Sequence, residues 1–488
     1  MATNRDLVEA QAFNRRRLVT ALVSGAPGGA EVEPVRPFRT VVGGLALAVL
    51  VAAAAAIASV LAPRTAEGWN DVGLVVSREK GAPYVVLERA EHPELHPVLN
   101  IASAQLVLGA GVEPTYVGQD VLERQRLGEA IGVLGAPQTL PRPDRLVAGD
   151  WTACTGPGRG IMLGLWTDPD VERLDRGGLV VTSRGRHYLV ARAGIRAELP
   201  RAMLYPLPDP LPAAGGGPDS VDAMLNDLGL RERAEAVEVP EAWLQLFPAG
   251  GELAWATFRI PGAGEPPADP AAYPSGAVVG DYWIDGDEGL VLTQDGLMRL
   301  SAFALPVYRH SPVPPSEPGG LARLPRRLAG PPPLVSEGPR SYLDASWPDE
   351  PLEPLTSDPC ALLVTAPGVP PGVELVHSPG DEISAAGLDD PRMVDYSFEG
   401  GRGALVRSGG WDGVPGGRSY AVDPQGMAYP LVDAQTVERL GYDELPLPLV
   451  PDGWVELFGR GVDLSTAAAL CPPDAQAPDH RDCVELGG

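Results

Sequence analysis

Lysine is almost absent from this chain. Lys80 is the only one, so arginine supplies nearly all of the positive charge, which we attribute to the codon bias of a GC-rich genome. The shortage excludes one class of site. A phosphate-binding P-loop ends in Gly-Lys-Ser/Thr, because its lysine must reach the phosphates. Lys80 is followed by Gly81, so the sequence contains no Walker A motif.

Other motifs of catalysis are missing as well. The sequence has no Gly-x-Ser-x-Gly elbow and no His-Glu-x-x-His pair, which excludes the hydrolases that use them. The run Gly156–Gly160 fits neither a Walker A loop nor a dinucleotide-binding loop, so we interpret it as a turn. We therefore predict no catalytic residues, no cofactor and, most simply, a protein that is not an enzyme.

Metal-binding patterns are equally scarce. His92 and His96 have the spacing of a zinc pair on a helix, but Pro93 and Pro97 would break that helix. A group of acidic residues lacks the glycine and glutamate spacing of an EF-hand and instead predicts a solvated loop. Its members are Asp281, Asp285, Asp287 and Glu288. We predict no metal site.

Only one long apolar run is present, the 22 uncharged residues of segment 41–62. As a helix with about 1.5 Å rise per residue, it would cross a hydrocarbon core of roughly 30 Å. Arg36 and Arg39 precede it, whereas Glu67 and Asp71 follow it, so the N-terminus is expected in the cytoplasm. The alternative, a cleaved signal peptide, would have a shorter apolar core and a shorter leader.

Charge is unevenly distributed between the two sides of this segment. The chain has 38 Lys+Arg and 64 Asp+Glu, a net charge of −26. Residues 1–62 contain six arginines and four acids, a net of +2, which leaves −28 for the remainder. Such an acidic body repels phosphate backbones, so nucleic acid is excluded as a partner. The 59 glycines and 54 prolines predict short elements joined by many turns.

Four cysteines are present: Cys154, Cys360, Cys471 and Cys483. Their spacing does not suit a zinc site. Outside a membrane, an even number of cysteines predicts disulfides. Cys471 and Cys483 would close a short terminal loop, which leaves Cys154 to pair with Cys360. The alternative is four buried thiols.

The N-terminal segment predicts a basic amphipathic helix that starts near Asp6 and ends at 25–29. It would lie on anionic lipid or pack against a partner helix, and the alternative is a solvated stub. Glycines in the apolar run permit close helix approach. The predicted partner-binding residues are Leu7, Phe13, Arg16, Arg17, Leu18, Leu22, Gly43 and Gly44.

A strand–turn–strand pattern recurs four times in the body and predicts four β-hairpins. The predicted strand pairs are Gly73–Ser77 with Tyr84–Leu87, Gly178–Ser183 with His187–Val190, Gly289–Thr293 with Leu297–Leu300, and Ser419–Val422 with Met427–Val432. Two copies end in the same motif, V-P-x-x-W-x-x-L-F, at Val239–Phe247 and Val450–Phe458. We interpret these as duplicated units. Their tryptophans are core anchors or, alternatively, part of an aromatic groove for a glycan or peptide.

The predicted fold class is α+β, with one N-terminal transmembrane helix and an elongated extracytoplasmic domain of about four β-rich repeats around a disulfide-bonded central module. The predicted domains are a cytoplasmic helix and basic segment (1–40), the transmembrane helix (41–62), repeat 1 (70–115), the first part of the central module (141–165), repeat 2 (175–250), repeat 3 (280–310), the second part of the central module (341–370), repeat 4 (415–460) and a C-terminal tail (461–488). The stretch 310–339 predicts a mobile Pro-rich connection.

Several of these segments resemble the EccB family of type VII (ESX) secretion systems. They are Arg5–Phe13, Arg16–Leu22, Tyr84–Leu87, His96–Leu106 and Trp151–Cys154. The resemblance implies a structural subunit of the inner-membrane core complex, assembled with EccC (the motor ATPase), EccD and EccE. It also implies a single-pass topology and a periplasmic body that self-associates above the pore.

The same resemblance keeps two alternatives open. The repeats of the family have been likened to cell-wall-binding repeats, which implies a cell-wall (peptidoglycan) anchor. Family members are sometimes labelled ATPases, and ATP is a cofactor only by that label. The missing Gly-Lys-Ser/Thr gives the label no support in this sequence.

Overall fold

The structure is a computed structural model. It describes residues 3–24, 37–61, 67–194, 201–209, 219–313, 323–334, 336–355, 358–378, 388–414 and 416–473. The chain forms two compact units, Met1–Glu67 and Gly68–Gly488.

The described residues of the N-terminal unit form two helices, α1 (Asn4–Ser24) and α2 (Pro37–Leu61). At the start of α1, the Asp6 carboxylate accepts hydrogen bonds from the Thr3 amide at 3.0 Å and the Thr3 hydroxyl at 2.7 Å, which caps the helix. Helix α2 contains the apolar run except for Ala62, which lies outside the described residues. Within the described part of the chain, no helix meets the length and apolarity needed for a membrane span.

The second unit, which we call the body, is built mainly from short strands. Its strands are β1 (Gly73–Ser77), β2 (Pro83–Val86), β3 (Glu94–Pro97), β4 (Thr115–Val117), β5 (Arg126–Leu127), β6 (Trp151–Cys154), β7 (Ile161–Leu165), β8 (Glu172–Arg173), β9 (Gly177–Ser183), β10 (Arg186–Arg192), β11 (Ala202–Pro206), β12 (Val237–Glu238), β13 (Tyr282–Asp285), β14 (Glu288–Thr293), β15 (Gly296–Leu300), β16 (Glu353–Pro354), β17 (Pro359–Val364), β18 (Gly372–His377), β19 (Val394–Phe398), β20 (Ala404–Gly409), β21 (Ser419–Val422), β22 (Met427–Leu431), β23 (Leu449–Pro451) and β24 (Gly459–Arg460). Its helices are α3 (Ile101–Leu108), α4 (Gln119–Leu122), α5 (Ser220–Asp227), α6 (Glu241–Leu244), α7 (Ala304–His310), α8 (Ala434–Arg439), α9 (Asp452–Val455) and α10 (Thr466–Leu470).

Four sheets of the body share one strand arrangement. Each has a meander of three antiparallel strands, with a parallel strand or bridge at both edges. The first sheet has the order β4-β1-β2-β3-β5, and the fourth has the order β23-β20-β21-β22-β24. The second sheet has the order β11-β10-β9-β12, and the third contains β13-β14-β15. Parallel bridges complete their edges at Leu204–Ala249, Tyr282–Arg327 and Leu297–Glu337.

All four predicted hairpins are present, but they are not equivalent. The first two are strands one and two of their meander, β1–β2 and β9–β10. The last two are strands two and three, β14–β15 and β21–β22. The four predicted hairpins are therefore not equivalent: the last two lie one strand later in their meanders than the first two. The cause is that the turn signals used for the prediction, at 294–296 and 423–426, belong to the second turn of their meanders.

A fifth, central sheet has the order β19-β7-β6-β17-β18-β8. Strands β6 and β17 pair antiparallel, with Cys154 opposite Cys360. The range 341–370 is divided in the structure. Its β17 joins the central sheet, whereas Tyr342 and Trp347 pack into a core cluster with residues of the third sheet.

Shared core clusters define the order in which the sheets pack. Helix α3, which follows the meander of the first sheet, contributes Leu106 to a cluster with the fourth sheet. The fourth, central and second sheets share the largest cluster. The second and third sheets share another. The first sheet therefore packs on the fourth, the third packs on the second, and the fourth, central and second sheets pack together. The second and fourth sheets thus have neighbours on two sides.

Part of the stretch 310–339 is ordered against the third sheet. Arg327 and Glu337 form its two parallel edge bridges. The Leu328 amide also donates to the Tyr282 carbonyl at 2.7 Å. The prediction of a mobile connection is wrong for these residues, because Arg327, Leu328 and Glu337 keep the N–H groups that proline lacks and can pair with a sheet edge.

Candidate functional site

The two copies of V-P-x-x-W-x-x-L-F have the same local structure. In each, a parallel edge strand leads into a one-turn helix, from β12 to α6 and from β23 to α9. Pro240 and Pro451 stand immediately before these helices with φ of −61° and −59°. Proline suits this position because its fixed φ and missing N–H match a helix start.

The tryptophans of the two copies are completely buried and hydrogen-bonded. The Trp243 indole donates to the Ala153 carbonyl of β6 at 2.9 Å. The Trp454 indole donates to the Leu246 carbonyl, inside the other copy, at 3.2 Å. The first copy thus binds the central sheet and the second binds the first. Neither indole is exposed to solvent, so Trp243 and Trp454 cannot line an aromatic groove for a glycan or peptide in this structure.

A glycine permits the close approach of the two copies. A Cβ atom on Gly453 would lie 2.7 Å from the Gln245 carbonyl oxygen. That distance is shorter than real Cβ contacts, so only glycine fits without a shift of the backbone. The corresponding residue of the first copy is Ala242.

The predicted bond between Cys154 and Cys360 is present in the structure, where it joins residues 206 positions apart. It packs with Leu362 and Val376 on one face of the central sheet, whereas Trp151 and Ala153 face the large cluster on the other. Cys471 is buried. Its predicted partner, Cys483, lies outside the described residues, so that pairing stays a prediction.

The predicted partner-binding side chains of α1 are exposed in the structure. Exposure is 61% for Leu7, 53% for Phe13, 72% for Leu18 and 89% for Leu22. Arg16 and Arg17 are exposed as well. On α2, a Cβ atom added to either of the glycines Gly43 and Gly44 would meet no atom within 4 Å. These residues are therefore available to a partner or to lipid.

Histidines and acidic residues do not converge on a metal site in the described part of the chain. His92 lies 3.4 Å from the Gln125 side chain, and His96 lies 3.1 Å from the Glu129 carbonyl. Asp281 is fully buried and paired with Arg326, so the prediction of a solvated loop is wrong for this residue.

Two arginine arrangements were not apparent from the sequence. Arg233 binds Asp219 and Asp222 at the start of α5. Burial opposes ionisation of Asp222, but the hydrogen bonds from Arg233 outweigh it and lower the pKa of Asp222. Separately, Arg173, Arg192 and Arg201 line one cavity of about 200 Å³. No sequence signal links these arginines, because strand pairing alone brings them together.

The chain is thus a mixed α/β protein with an N-terminal helical unit and a body of small sheets packed on a disulfide-bonded central sheet. A family model described as type VII secretion system ESX-1, transport TM domain B, matches residues 1–478. The chain belongs to this EccB family, and the resemblance predicted from the sequence is confirmed.

Relatives and solved structures agree with this assignment. The ESX-3 secretion system ATPase EccB3 of Mycobacterium tuberculosis is 28% identical over 92% of this chain and 86% of its own length. The ESX-1 secretion system ATPase EccB1 of Mycolicibacterium smegmatis is 26% identical over 90% of this chain and 89% of its own.

Two solved structures share the fold. A chain in the structure of an intact ESX-5 inner membrane complex has a TM-score of 0.59 at 21% identity and covers 98% of this chain and 97% of its own. The structure of an EccB3 dimer from the ESX-3 core complex has a TM-score of 0.56 at 22% identity and covers 82% of this chain and 100% of its own.

Proposed function

We propose that this chain is a structural, non-catalytic subunit of a type VII (ESX) secretion complex in the inner membrane. The observation that carries the proposal is the family match over residues 1–478, which includes both the helical unit and the body. The solved neighbours come from an ESX-5 inner membrane complex and an ESX-3 core complex, which supports the same role.

The proposed topology is a single pass through the membrane, with the N-terminus in the cytoplasm and the body in the periplasm. Helix α2 has 25 residues, and a helix of that length extends over roughly 37 Å. Its segment 41–61 contains no charged side chain. Arg36 and Arg39 before the run and Glu67 and Asp71 after it support the orientation.

Helix α1 is the proposed docking element for other membrane subunits of the EccC, EccD and EccE type. Four apolar side chains of this helix are each 53–89% exposed to solvent: Leu7, Phe13, Leu18 and Leu22. Burial of such side chains against a partner would supply about 25 cal/mol per Å² of apolar surface. Gly43 and Gly44 would allow a second close contact on α2.

In the proposed domain organisation, the four sheets with the shared strand arrangement correspond to the four repeats and the fifth to the central module. The body is the proposed surface for self-association, since the EccB3 neighbour was solved as a dimer. The predicted boundaries and the C-terminal tail from 461 onward remain part of this proposal.

A second candidate, nucleotide hydrolysis, comes from the names of relatives, which include the word ATPase. The lack of Gly-Lys-Ser/Thr in the sequence weighs against it. Turnover of ATP by the purified chain, surviving stringent purification and scaling with its amount, would support an enzyme and contradict the structural role as the whole function.

The test of the docking proposal is purification of the tagged full chain from membranes in mild detergent. We expect ESX membrane subunits to co-purify with the wild type and to be lost from a Leu18→Glu/Leu22→Glu variant. Ala12→Glu is the control, because it adds charge to the same exposed helix on the side away from Leu7 and Leu18. Equal recovery of partners from all three proteins would contradict a docking role for α1.

A further inference from the structure

A small cavity lies where the central sheet meets the second sheet. Its volume is about 200 Å³. Residues of β8 and β18 line one side, and residues of β9, β10 and β11 line the other. Arg201 stands at the contact itself, because it forms a parallel bridge with Val373. Whatever occupies the cavity would contact both sheets.

The charge lining the cavity is opposite in sign to the charge of the chain. Arg173, Arg192 and Arg201 line it together with two carboxylates, Asp175 and Glu374. The local balance is therefore +1, in a protein whose net charge is −26. A concave cationic site in an acidic protein is a place where small anions concentrate.

The three arginines differ in how firmly they are held. Arg173 Nε lies 2.9 Å from a Glu374 carboxylate oxygen, a good ion pair. Arg192 Nη1 lies 3.7 Å from Asp175, whose side chain is fully exposed, so this pair is weak.

Arg201 is the one with unmet hydrogen-bonding capacity. Its Nε is shielded from solvent and has no acceptor among the described residues. A guanidinium carries five N–H donors and no acceptor, so a shielded N–H without a partner is unfavourable. Arg201 lines the cavity, so an acceptor held there would lie beside this guanidinium.

We infer that this cavity binds a small oxyanion, a phosphate or carboxylate group, through Arg201 and Arg192. The planar guanidinium matches the two oxygens of such a group with paired hydrogen bonds. Leu174, Val373 and Leu375 form the apolar lining and, with the small volume, restrict the site to a compact group. Since Arg201 and Arg192 belong to the second sheet and Val373 to the central sheet, the bound anion stabilises the junction between them.

The test is calorimetric titration of the full-length protein in detergent with inorganic phosphate and, separately, with succinate at matched ionic strength. We expect saturable binding of at least one anion, together with a higher unfolding temperature. The anion that binds more tightly identifies the group as phosphate or carboxylate. Sodium chloride at the same ionic strength should produce neither effect.

Variants assign the binding to the cavity. Arg201→Gln should weaken binding at least tenfold, and Arg201→Lys should weaken it less, because lysine keeps the charge but not the paired donors. Arg186→Gln is the matched control, since Arg186 is exposed at the opposite end of β10. If Arg201→Gln does not fold, the affinities of Arg192→Gln and Arg201→Lys show whether the anion binds in the cavity. Absence of saturable binding to the wild type, or equal affinity in the cavity variants, would overturn the inference.

Discussion

The inner and outer sheets of the body share a strand order but differ at their edges. In the first sheet, β4 leads into α4, just as β12 leads into α6 and β23 into α9. The third residue of these one-turn helices is Val121 in the first sheet and tryptophan, Trp243 or Trp454, in the second and fourth. Both tryptophans are fully buried, whereas Val121 is only partly buried.

The residues that follow differ in the same way. After the tryptophans come Leu-Phe pairs that are buried in the large central cluster. The corresponding residues of the first sheet are Arg124 and Gln125, and Arg124 forms an exposed pair with Asp120. The same strand order therefore accommodates either apolar or polar residues after the edge strand. The apolar edge is found in the second and fourth sheets, which have neighbours on two sides, and the polar edge in the first sheet, which packs only on the fourth.

Removal of a motif tryptophan should have the largest effect. Trp454→Ala deletes a fully buried side chain and its hydrogen bond to Leu246, so we expect a loss of about 3–5 kcal/mol in the free energy of unfolding. Val121→Ala, the matched change in the first sheet, should cost about 1 kcal/mol or less. Chemical denaturation of both variants measures the difference. Equal losses would contradict the distinction between inner and outer edges.

Loss of the central disulfide should have the next largest effect. Cys154→Ser with Cys360→Ser removes a cross-link over 206 residues and should destabilise the body by about 2–5 kcal/mol. Thermal unfolding with and without reductant is the measurement. Reductant should lower the unfolding temperature of the wild type toward that of the variant. A wild type insensitive to reductant, with the bond shown to be broken, would contradict a stabilising role.

Gly453→Ala tests the contact between the two motif copies. The added methyl would meet the Gln245 carbonyl, so we expect a destabilisation of about 1–3 kcal/mol. Gly416→Ala is the matched control, because a Cβ atom there would meet nothing within 4 Å. Denaturation midpoints compare the two variants. A neutral Gly453→Ala would mean that the copies can separate without cost.

The smallest expected effect concerns the ion pairs of Arg233 with Asp219 and Asp222 at the start of α5. Asp222→Asn should cost about 1 kcal/mol at pH 7, because it weakens the hydrogen bonds with Arg233. Since the folded protein has a lowered pKa for Asp222, the stabilisation is present above the ordinary Asp pKa and is lost as the pH falls through the folded value.

The stability difference between the wild type and Asp222→Asn should therefore shrink below about pH 4. Unfolding curves between pH 3 and pH 7 would measure it. A difference that grows on acidification would have the wrong sign and would exclude this ion pair as its source.

Local sequence signals located many of the elements. The turn and strand signals predicted one hairpin in each of the four meanders, β1–β2, β9–β10, β14–β15 and β21–β22. The repeated motif singled out Trp243 and Trp454, because a tryptophan and a proline at the same spacing in two places are unlikely to coincide by chance. The offset of the repeats was missed because Asp285–Glu288 was interpreted as a solvated acidic loop rather than a hairpin turn, and because β20 and β21 are too far apart in the chain for a short turn to mark their pairing.

By itself, the sequence determined the family, the apolar run, the hairpins, the repeated motif and the pairing of Cys154 with Cys360. These depend on near neighbours in the chain, on periodicity or on a small choice of cysteine partners. Only the tertiary structure decided the order of the sheets, the contact between the motif copies and the cavity at Arg201. These depend on which edges and faces meet across hundreds of residues, and no local pattern encodes that choice.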